Sequence, residues 1–283
     1  MKDQMKKDQM KRTIGVLGPE GTFSEKAAKR LMPDGDIRYF RDFEEVIAAV
    51  ERSDLDIGVV PLENSLEGSV GQTLDSLLGR DVQIVGEMNL QVRHCLLGRG
   101  SPGEVKVILS HPQALAQCRG YLKRRFPEAE LRTTGSTSHA ARLAQEFPEM
   151  AAIADAEAAE RYGLAVIDRN VQDSDENVTR FAVVGREAPE PTGLDKTSLA
   201  IYLEKTEAGA LWEVLGEFAV RKINLTKIES RPSKMGLGDY YFFIDLEGHV
   251  SDPPVEEALA SIRKRAAITK VLGSYPRTGS DEV

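Results

Sequence analysis

Between Thr13 and Val184 the chain repeats one pattern: a short apolar run, then a longer stretch whose apolar positions recur every three or four residues. The apolar runs are Ile14 to Leu17, Ile57 to Val60, Val105 to Leu109, Ala151 to Ala154 and Phe181 to Val184. Runs of this length bounded by turn residues predict buried strands, and their alternation with helical stretches predicts βαβ units and a parallel sheet. Two helices show their starts. Thr22-Phe-Ser-Glu25 and Asp42-Phe-Glu-Glu45 each place a capping side chain three residues before a glutamate, the second just ahead of Val46, Ile47 and Val50. From Val82 to Leu97 the rhythm breaks: Ile84, Val85, Leu90, Val92 and Leu96 recur without a helix between them, which reads as an extended crossing segment.

Ala188-Pro-Glu-Pro-Thr-Gly193 interrupts both periods, and a fresh pattern begins after it. The order is strand Ser198 to Leu203, helix Leu211 to Lys222, strand Leu225 to Glu229, strand Tyr240 to Leu246, helix Val255 to Arg265 and strand Thr269 to Tyr275. That βαββαβ order is ferredoxin-like. The expected division is a disordered lead-in over 1–11, an α/β body over 12–187, a linker over 188–196, a second domain over 197–277 and a tail over 278–283.

Composition narrows the function classes. At 283 residues two ordinary domains are expected. The formal net charge of -8 argues against a general nucleic-acid surface. The opening MKDQMKKDQMKR lacks the apolar core of a signal peptide, and no later run is long enough to span a bilayer, so no membrane partner is expected. Cys95 and Cys118 are far apart with no Cys-x-x-Cys spacing, which fits a reducing cytoplasm. His94, His111, His139 and His249 show no zinc-protease spacing, so no metal is expected. The glycine segment near Gly15 to Gly21 is too long for a P-loop and no lysine follows it, which removes a nucleotide reading.

Candidate chemistry gathers in short polar segments at strand ends. In Asn177-Val-Thr-Arg-Phe181, alternation along a strand puts Thr179 and Phe181 on one face and Arg180 on the other. Pro61-Leu-Glu-Asn-Ser65 follows an apolar strand, which places Glu63 and Asn64 at a carboxyl end, where open α/β sheets bind ligands. Glu63 is then an acid of raised pKa or the partner of a structural group; Asn64 offers both donors and an acceptor, and Asn64 with Ser65 equally suits a helix cap. Ser110-His-Pro-Gln113 opens a helix with Pro112 at its first position; a Ser-x-x-Gln capping box accounts for it as well as a ligand contact does, and His111 ranks below Gln113. Ser136-Thr-Ser138 precedes another helix, as a cap or an anion site.

Taken in order with Gly18-Pro-Glu-Gly-Thr-Phe-Ser24 and Ile228-Glu-Ser-Arg-Pro232, these segments resemble the prephenate dehydratase family with a C-terminal ACT regulatory domain, over Thr13 to Pro276. The resemblance implies an α/β fold: a two-lobed, periplasmic-binding-protein-like catalytic domain followed by a ferredoxin-like ACT domain. It implies decarboxylating dehydration of prephenate to phenylpyruvate, a step toward phenylalanine, without cofactor or metal. Thr179 is the residue it ties most closely to catalysis, with Glu63, Asn64 and Gln113 beside it and Ser65, Ser136, Thr137, Ser138 and Phe181 binding substrate. It implies feedback by L-phenylalanine between paired ACT domains, at Gly209, Ala210, Leu211, Asn224, Leu225, Glu229, Ser230, Arg231 and Pro232, hence a homodimer or homotetramer. Trp212 departs from the commoner leucine or tyrosine after Gly-Ala-Leu and bears on pocket size. No N-terminal helical chorismate mutase region is seen, so the resemblance is to monofunctional members. Two other readings remain: an arogenate dehydratase, and a non-catalytic amino-acid sensor, against which the intact Asn177 to Phe181 segment speaks.

Overall fold

The central sheet of the first lobe runs β2 (Asp36–Phe40), β1 (Thr13–Leu17), β3 (Ile57–Asn64), β11 (Val178–Gly185), β5 (Gln83–Gln91), with the short β4 (Gly68–Ser69) on β3. The computed structural model describes residues 11–203, 208–233 and 239–278; the expected lead-in apart from Lys11, and the tail beyond Thr278, lie outside them. The second lobe is built on β10 (Ala165–Arg169), β6 (Cys95–Gly98), β9 (Met150–Ala154), β7 (Val107–Ser110) and β8 (Glu130–Thr133). Helices α1 (Phe23–Leu31) and α2 (Phe43–Glu51) belong to the first lobe, and both predicted caps form. Thr22 Oγ1 accepts from Glu25 N at 3.4 Å, and Asp42 Oδ1 accepts from Glu45 N at 2.7 Å.

The expectation of a parallel sheet needs correction. β1 pairs in parallel with β2 and β3, and β7 with β8 and β9, but β11 is antiparallel to both β3 and β5, and β6 to both β9 and β10. The antiparallel strands are those next to the two crossings. The chain leaves the first sheet after β5, enters the second at β6, and returns from β10 to β11, so strands at the crossings arrive from the opposite side. The outgoing segment is the extended stretch read in the sequence. The two crossings are bonded to each other, Val92 N to Asn177 O at 2.8 Å and Val171 N to His94 O at 2.9 Å.

The C-terminal domain follows the predicted order: β12 (Asp195–Tyr202), then α8 (Ala210–Val220), β13 (Leu225–Pro232), β14 (Tyr240–Glu247), α9 (Pro253–Ile262) and β15 (Ile268–Pro276). Its antiparallel sheet has the order β13-β14-β12-β15. One face buries Leu199, Ile201, Ile244 and Leu246 under Val214, Phe218, Val255 and Leu259 of the two helices. The opposite face is also buried, with Ala200, Phe243, Leu272 and Tyr275 joining Leu62, Leu74, Leu77 and Ile84 of the first lobe in one cluster. Two-sided burial makes this sheet a shared wall.

Three features lock that wall. Gly273 approaches the backbone of β5 so closely that a Cβ there would meet Ile84 N at 2.8 Å and Ile84 C at 2.9 Å. Lys270 Nζ donates to the terminal carbonyls around α3 (Gly71–Gly79): Leu77 O at 2.9 Å, Leu78 O at 3.0 Å and Arg80 O at 2.6 Å. That is the cation a helix C-terminus favours. Arg180 reaches from β11 to Glu87 Oε2 at 2.7 Å, Asp245 Oδ2 at 2.6 Å and Tyr275 Oη at 2.8 Å. Burial opposes its charge, but Tyr275, Asp245 and Glu87 more than offset that and hold its pKa above the ordinary arginine value. No described helix is long and apolar enough to cross a membrane.

Candidate active site

A cleft of about 520 Å³ separates the lobes. Its walls come from strand ends, helix starts and the crossings: Leu17 at the end of β1 and Thr22 after it, Asn64 at the end of β3, and Val92 and His94 on the outgoing crossing. Gln113 and Gln117 come from α4 (Pro112–Gln117), Ser136 and Thr137 from the start of α6 (Thr137–Ala144), and Asn177, Thr179 and Phe181 from β11. Between α4 and α6 lies α5 (Arg119–Arg125). Away from the cleft, α1 is tied to the second lobe. Lys26 Nζ meets Asp155 Oδ2 at 2.9 Å, Arg161 of α7 (Glu157–Tyr162) meets Glu20 at 2.8 Å and Glu25 at 3.2 Å, and Ser138 Oγ donates to Glu20 O at 2.6 Å.

The cleft's polar core is one connected network. Asn64 Nδ2 donates to Thr179 Oγ1 at 2.9 Å and to Asn177 Oδ1 at 2.8 Å. Asn177 Nδ2 donates to Gln117 Oε1 at 2.7 Å, and the same oxygen lies 3.0 Å from His94 Nε2. On its other side, Asn64 Oδ1 accepts from Leu66 N at 3.0 Å and Glu67 N at 3.2 Å, a turn rather than a helix cap. Asn64, His94 and Asn177 are all buried. Burial pulls the His94 pKa below the usual histidine value, against a raising hydrogen bond to Gln117, so the ring is neutral near pH 7. Glu67 is the one acidic residue among the described residues lining the cleft, and neither lysine nor arginine is among them.

Several expected residues meet here and others do not. Thr179, Asn64, Gln113, Ser136, Thr137 and Phe181 all line the cleft. The capping-box account of Gln113 does not hold: Ser110 Oγ is committed to Ile153 O at 2.6 Å, and His111 caps the helix through its ring, accepting from Gln113 N at 3.4 Å. Glu63 is turned to the opposite face, toward Arg180 at 3.5 Å and Lys227 at 3.4 Å, because β3 continues to Asn64 and neighbouring residues on a strand point oppositely. An acid in the cleft is therefore not what Glu63 supplies. Ser65 Oγ donates to Glu176 O at 2.6 Å and accepts from Val178 N at 3.0 Å, and Ser138, besides Glu20, bonds Tyr162 Oη at 2.8 Å; both tie chain segments together outside the cleft wall. Sequence reading assigned no site role to Gln117, Asn177 or His94. Gln117 stands four residues after Gln113 on one helix, the same-face spacing that could have found it.

The regulatory candidates divide by strand alternation. Gly209, at φ 97°, opens α8 in the left-handed region glycine tolerates, followed by half-buried Ala210 and Leu211 and by Trp212, which is 76% exposed. Along β13, Leu225, Glu229 and Arg231 are half-buried, while Ser230 and Pro232 are exposed, as is Asn224 ahead of the strand. Arg231 Nη2 lies 3.3 Å from Asp75 Oδ1 on α3, and Ser69 Oγ donates to Glu229 and accepts from Lys227. Glu229 and Arg231 thus face the first lobe, and Asn224 lies beyond the Arg221 C-cap of α8.

Known proteins share this chain's domains and fold. The family model described as prephenate dehydratase matches residues 14–189, and that of the ACT domain residues 197–264. The chain is 42% identical over 272 residues to the bifunctional chorismate mutase/prephenate dehydratase of Aquifex aeolicus, covering 93% of this chain and 73% of the relative. It is 41% identical over 277 residues to the prephenate dehydratase of Methanocaldococcus jannaschii, covering 94% and 99%. The prephenate dehydratase of Arthrobacter aurescens, solved in complex with L-Phe, superimposes with a TM-score of 0.87 at 36% identity, covering 96% of this chain and 92% of that one. With one family model matching the cleft-bearing body over residues 14–189 and the other the C-terminal domain over residues 197–264, this chain belongs to the prephenate dehydratase family and carries an ACT domain.

Proposed function

We propose that the chain converts prephenate to phenylpyruvate, with residues 12–187 as the catalytic unit, residues 188–196 as a linker and residues 197–277 as an ACT domain that senses L-phenylalanine. The observation that carries the reading is Thr179 in the cleft, its oxygen accepting from Asn64. The ring carbon–oxygen bond breaks, the bond to the ring carboxylate breaks with loss of carbon dioxide, and that electron pair completes the aromatic ring. One proton is consumed, converting the departing hydroxide to water. With Asn64 on its lone pair, Thr179 gives its O–H to the departing oxygen, where negative charge grows in the transition state. Solvent entering the cleft supplies the net proton.

Neutral recognition suits this chemistry. Gln113, Ser136 and Thr137 offer hydrogen bonds without a full positive charge. A guanidinium clamped on the ring carboxylate would stabilise the ground state from which carbon dioxide must leave, whereas only interactions stronger in the transition state accelerate the step. A second reading, arogenate as substrate, draws on Glu67, a carboxylate on the cleft wall that would pair with an ammonium.

For regulation, the start of α8 and the end of β13 lie at one end of the ACT domain, where Trp212 is exposed, and Ile228 is exposed midway along β13. We read this end as the phenylalanine site, completed by ACT pairing in a homodimer or homotetramer, which light scattering would measure. Cys95 and Cys118 are buried and unpaired, and burial pushes the Cys118 thiol up to about 12, in keeping with a cytoplasmic enzyme. The deciding experiment is phenylpyruvate formation from prephenate, with and without L-phenylalanine and with arogenate in parallel. Prephenate turnover suppressed by L-phenylalanine is expected; no turnover of either compound by folded protein overturns the reading in favour of a sensor.

A further inference from the structure

The cleft network has a direction, and it can be read from one end. Oxygen and nitrogen of an asparagine or glutamine side chain are told apart by their partners. Asn64 Oδ1 faces Leu66 N at 3.0 Å and Glu67 N at 3.2 Å, and backbone N–H groups only donate, so this end must be the oxygen. Asn64 therefore presents its NH₂ to Thr179 and Asn177. Asn177 must answer with its oxygen, which leaves its own NH₂ for Gln117 at 2.7 Å. Gln117 must in turn place its oxygen there. Lying 3.0 Å from that oxygen, His94 Nε2 is protonated and its Nδ1 is bare. Two groups at this end have no hydrogen-bond partner among the described residues, His94 Nδ1 and Gln117 Nε2. Both orphans are what remains once every other amide orientation is forced.

We propose that Gln117 is a positioning residue for the dehydration: as the acceptor that ends the chain of amides, it holds Asn177 and Asn64 so that Thr179 presents its O–H to the departing hydroxyl. The inference rests on the dehydratase reading above. Gln117 does not act on substrate through this bond; it acts through Asn177. Without an acceptor at 117, the buried Asn177 NH₂ is stranded, and rotating that amide would set NH₂ against NH₂ at Asn64. Asn64 would keep Leu66 N and Glu67 N on its oxygen but lose the Asn177 oxygen that shares its NH₂ with Thr179, and a hydroxyl displaced by a fraction of an ångström is a poorer donor in the transition state.

The test compares Gln117→Met, close in size but without the acceptor, with Gln117→Glu, which keeps an oxygen facing Asn177 and His94. Both are checked for folding by circular dichroism. In Gln117→Met, kcat for prephenate should fall by about tenfold to a hundredfold with KM within about twofold. In Gln117→Glu, kcat should recover toward wild type while KM rises, because the added charge repels the dianionic substrate. A readout independent of turnover is the His94 tautomer by ¹⁵N NMR, expected as Nε2–H in the wild-type protein. Equal loss of kcat in both variants would mean packing rather than polarity and overturns the proposal, as does a Gln117→Met enzyme with unchanged kcat. An Nδ1–H tautomer in a wild-type protein that turns over prephenate overturns the amide chain alone. Wild-type protein with the Nε2–H tautomer but inert toward prephenate overturns the dehydratase reading, and with it the purpose assigned to Gln117.

Discussion

Replacing Arg180 with methionine would show how strongly charge joins the regulatory domain to the catalytic strand. The Arg180 side chain is 12% exposed and holds two carboxylates, of Glu87 and Asp245, that are 2% and 8% exposed. Without it, Glu87 keeps Lys196 at 2.8 Å, while Asp245 keeps only the Ser198 hydroxyl at 2.6 Å. Breaking a buried pair from one side costs about 3–5 kcal/mol, because a charge is left unpaired. With one carboxylate stranded and a hydroxyl still donating to it, we expect the lower end, ~3 kcal/mol. Urea unfolding followed by circular dichroism measures this as a lowered midpoint. Because Thr179 precedes Arg180 on β11, turnover should drop in the same variant and its response to L-phenylalanine should weaken. The second half of the test is Arg180→Met combined with Asp245→Asn. Neutralising the stranded partner removes the penalty, so the double variant should be more stable than the single one. A single variant within about 1 kcal/mol of wild type, or a double variant no better than the single, would refute the account.

Three further outcomes are expected. Thr179→Ala should lower kcat by about 10²–10⁴ with the fold intact, while Thr179→Ser retains part of the rate; similar rates in Ala and Ser variants would remove the hydroxyl from the mechanism. Gly273→Ala should drive β15 from β5, since the new methyl meets backbone rather than a movable side chain, at a cost of about 1–3 kcal/mol or more and with faster limited proteolysis between the domains; an unchanged melting temperature would count against that close approach. For His94, burial lowers the folded-state pKa, so its contribution to stability is complete above the unfolded value of about 6.5 and is lost as pH falls below it. The urea midpoint of wild type should therefore drop more between pH 7.5 and about pH 5 than that of His94→Gln, and parallel curves for the two proteins would show that the ring is not held neutral.

How far the sequence could be read depended on the length assigned to single elements. Thr179 and Phe181 were placed on one face and Arg180 on the other because a strand was correctly begun before them, and period two did the rest. The crevice placement of Glu63 failed by the same rule: with the strand ended at Val60, Glu63 and Asn64 both became crevice residues, whereas continuation to Asn64 sends them to opposite faces and leaves Glu63 the other role read for it, a partner of structural groups, here Arg180 and Lys227. Strands β2 and β8, at the edges of their sheets, went unread because they are mostly exposed and lack an apolar run. The return crossing before β11 is polar and irregular, so its role depends on partners far away in sequence, such as Val92 and Ser65. Glu229 and Arg231 were legible as a motif, but their orientation toward α3 follows from a domain contact that no local pattern encodes.

Helix α3 is gripped from the ACT domain at both ends: Arg231 packs on Gly71 and reaches Asp75, and Lys270 holds the last carbonyls. Ahead of α3, separated from it by β4 and Val70, comes the turn whose amides fix Asn64. This has a consequence for modular engineering. Exchanging the ACT domain for one that senses another amino acid would transplant more than a sensor, because the donor must also bring a lysine and an arginine at the equivalent β15 and β13 positions. A graft that matched the effector pocket and omitted those two cations would be expected to bind its new effector and yet lose catalytic rate even with no effector present.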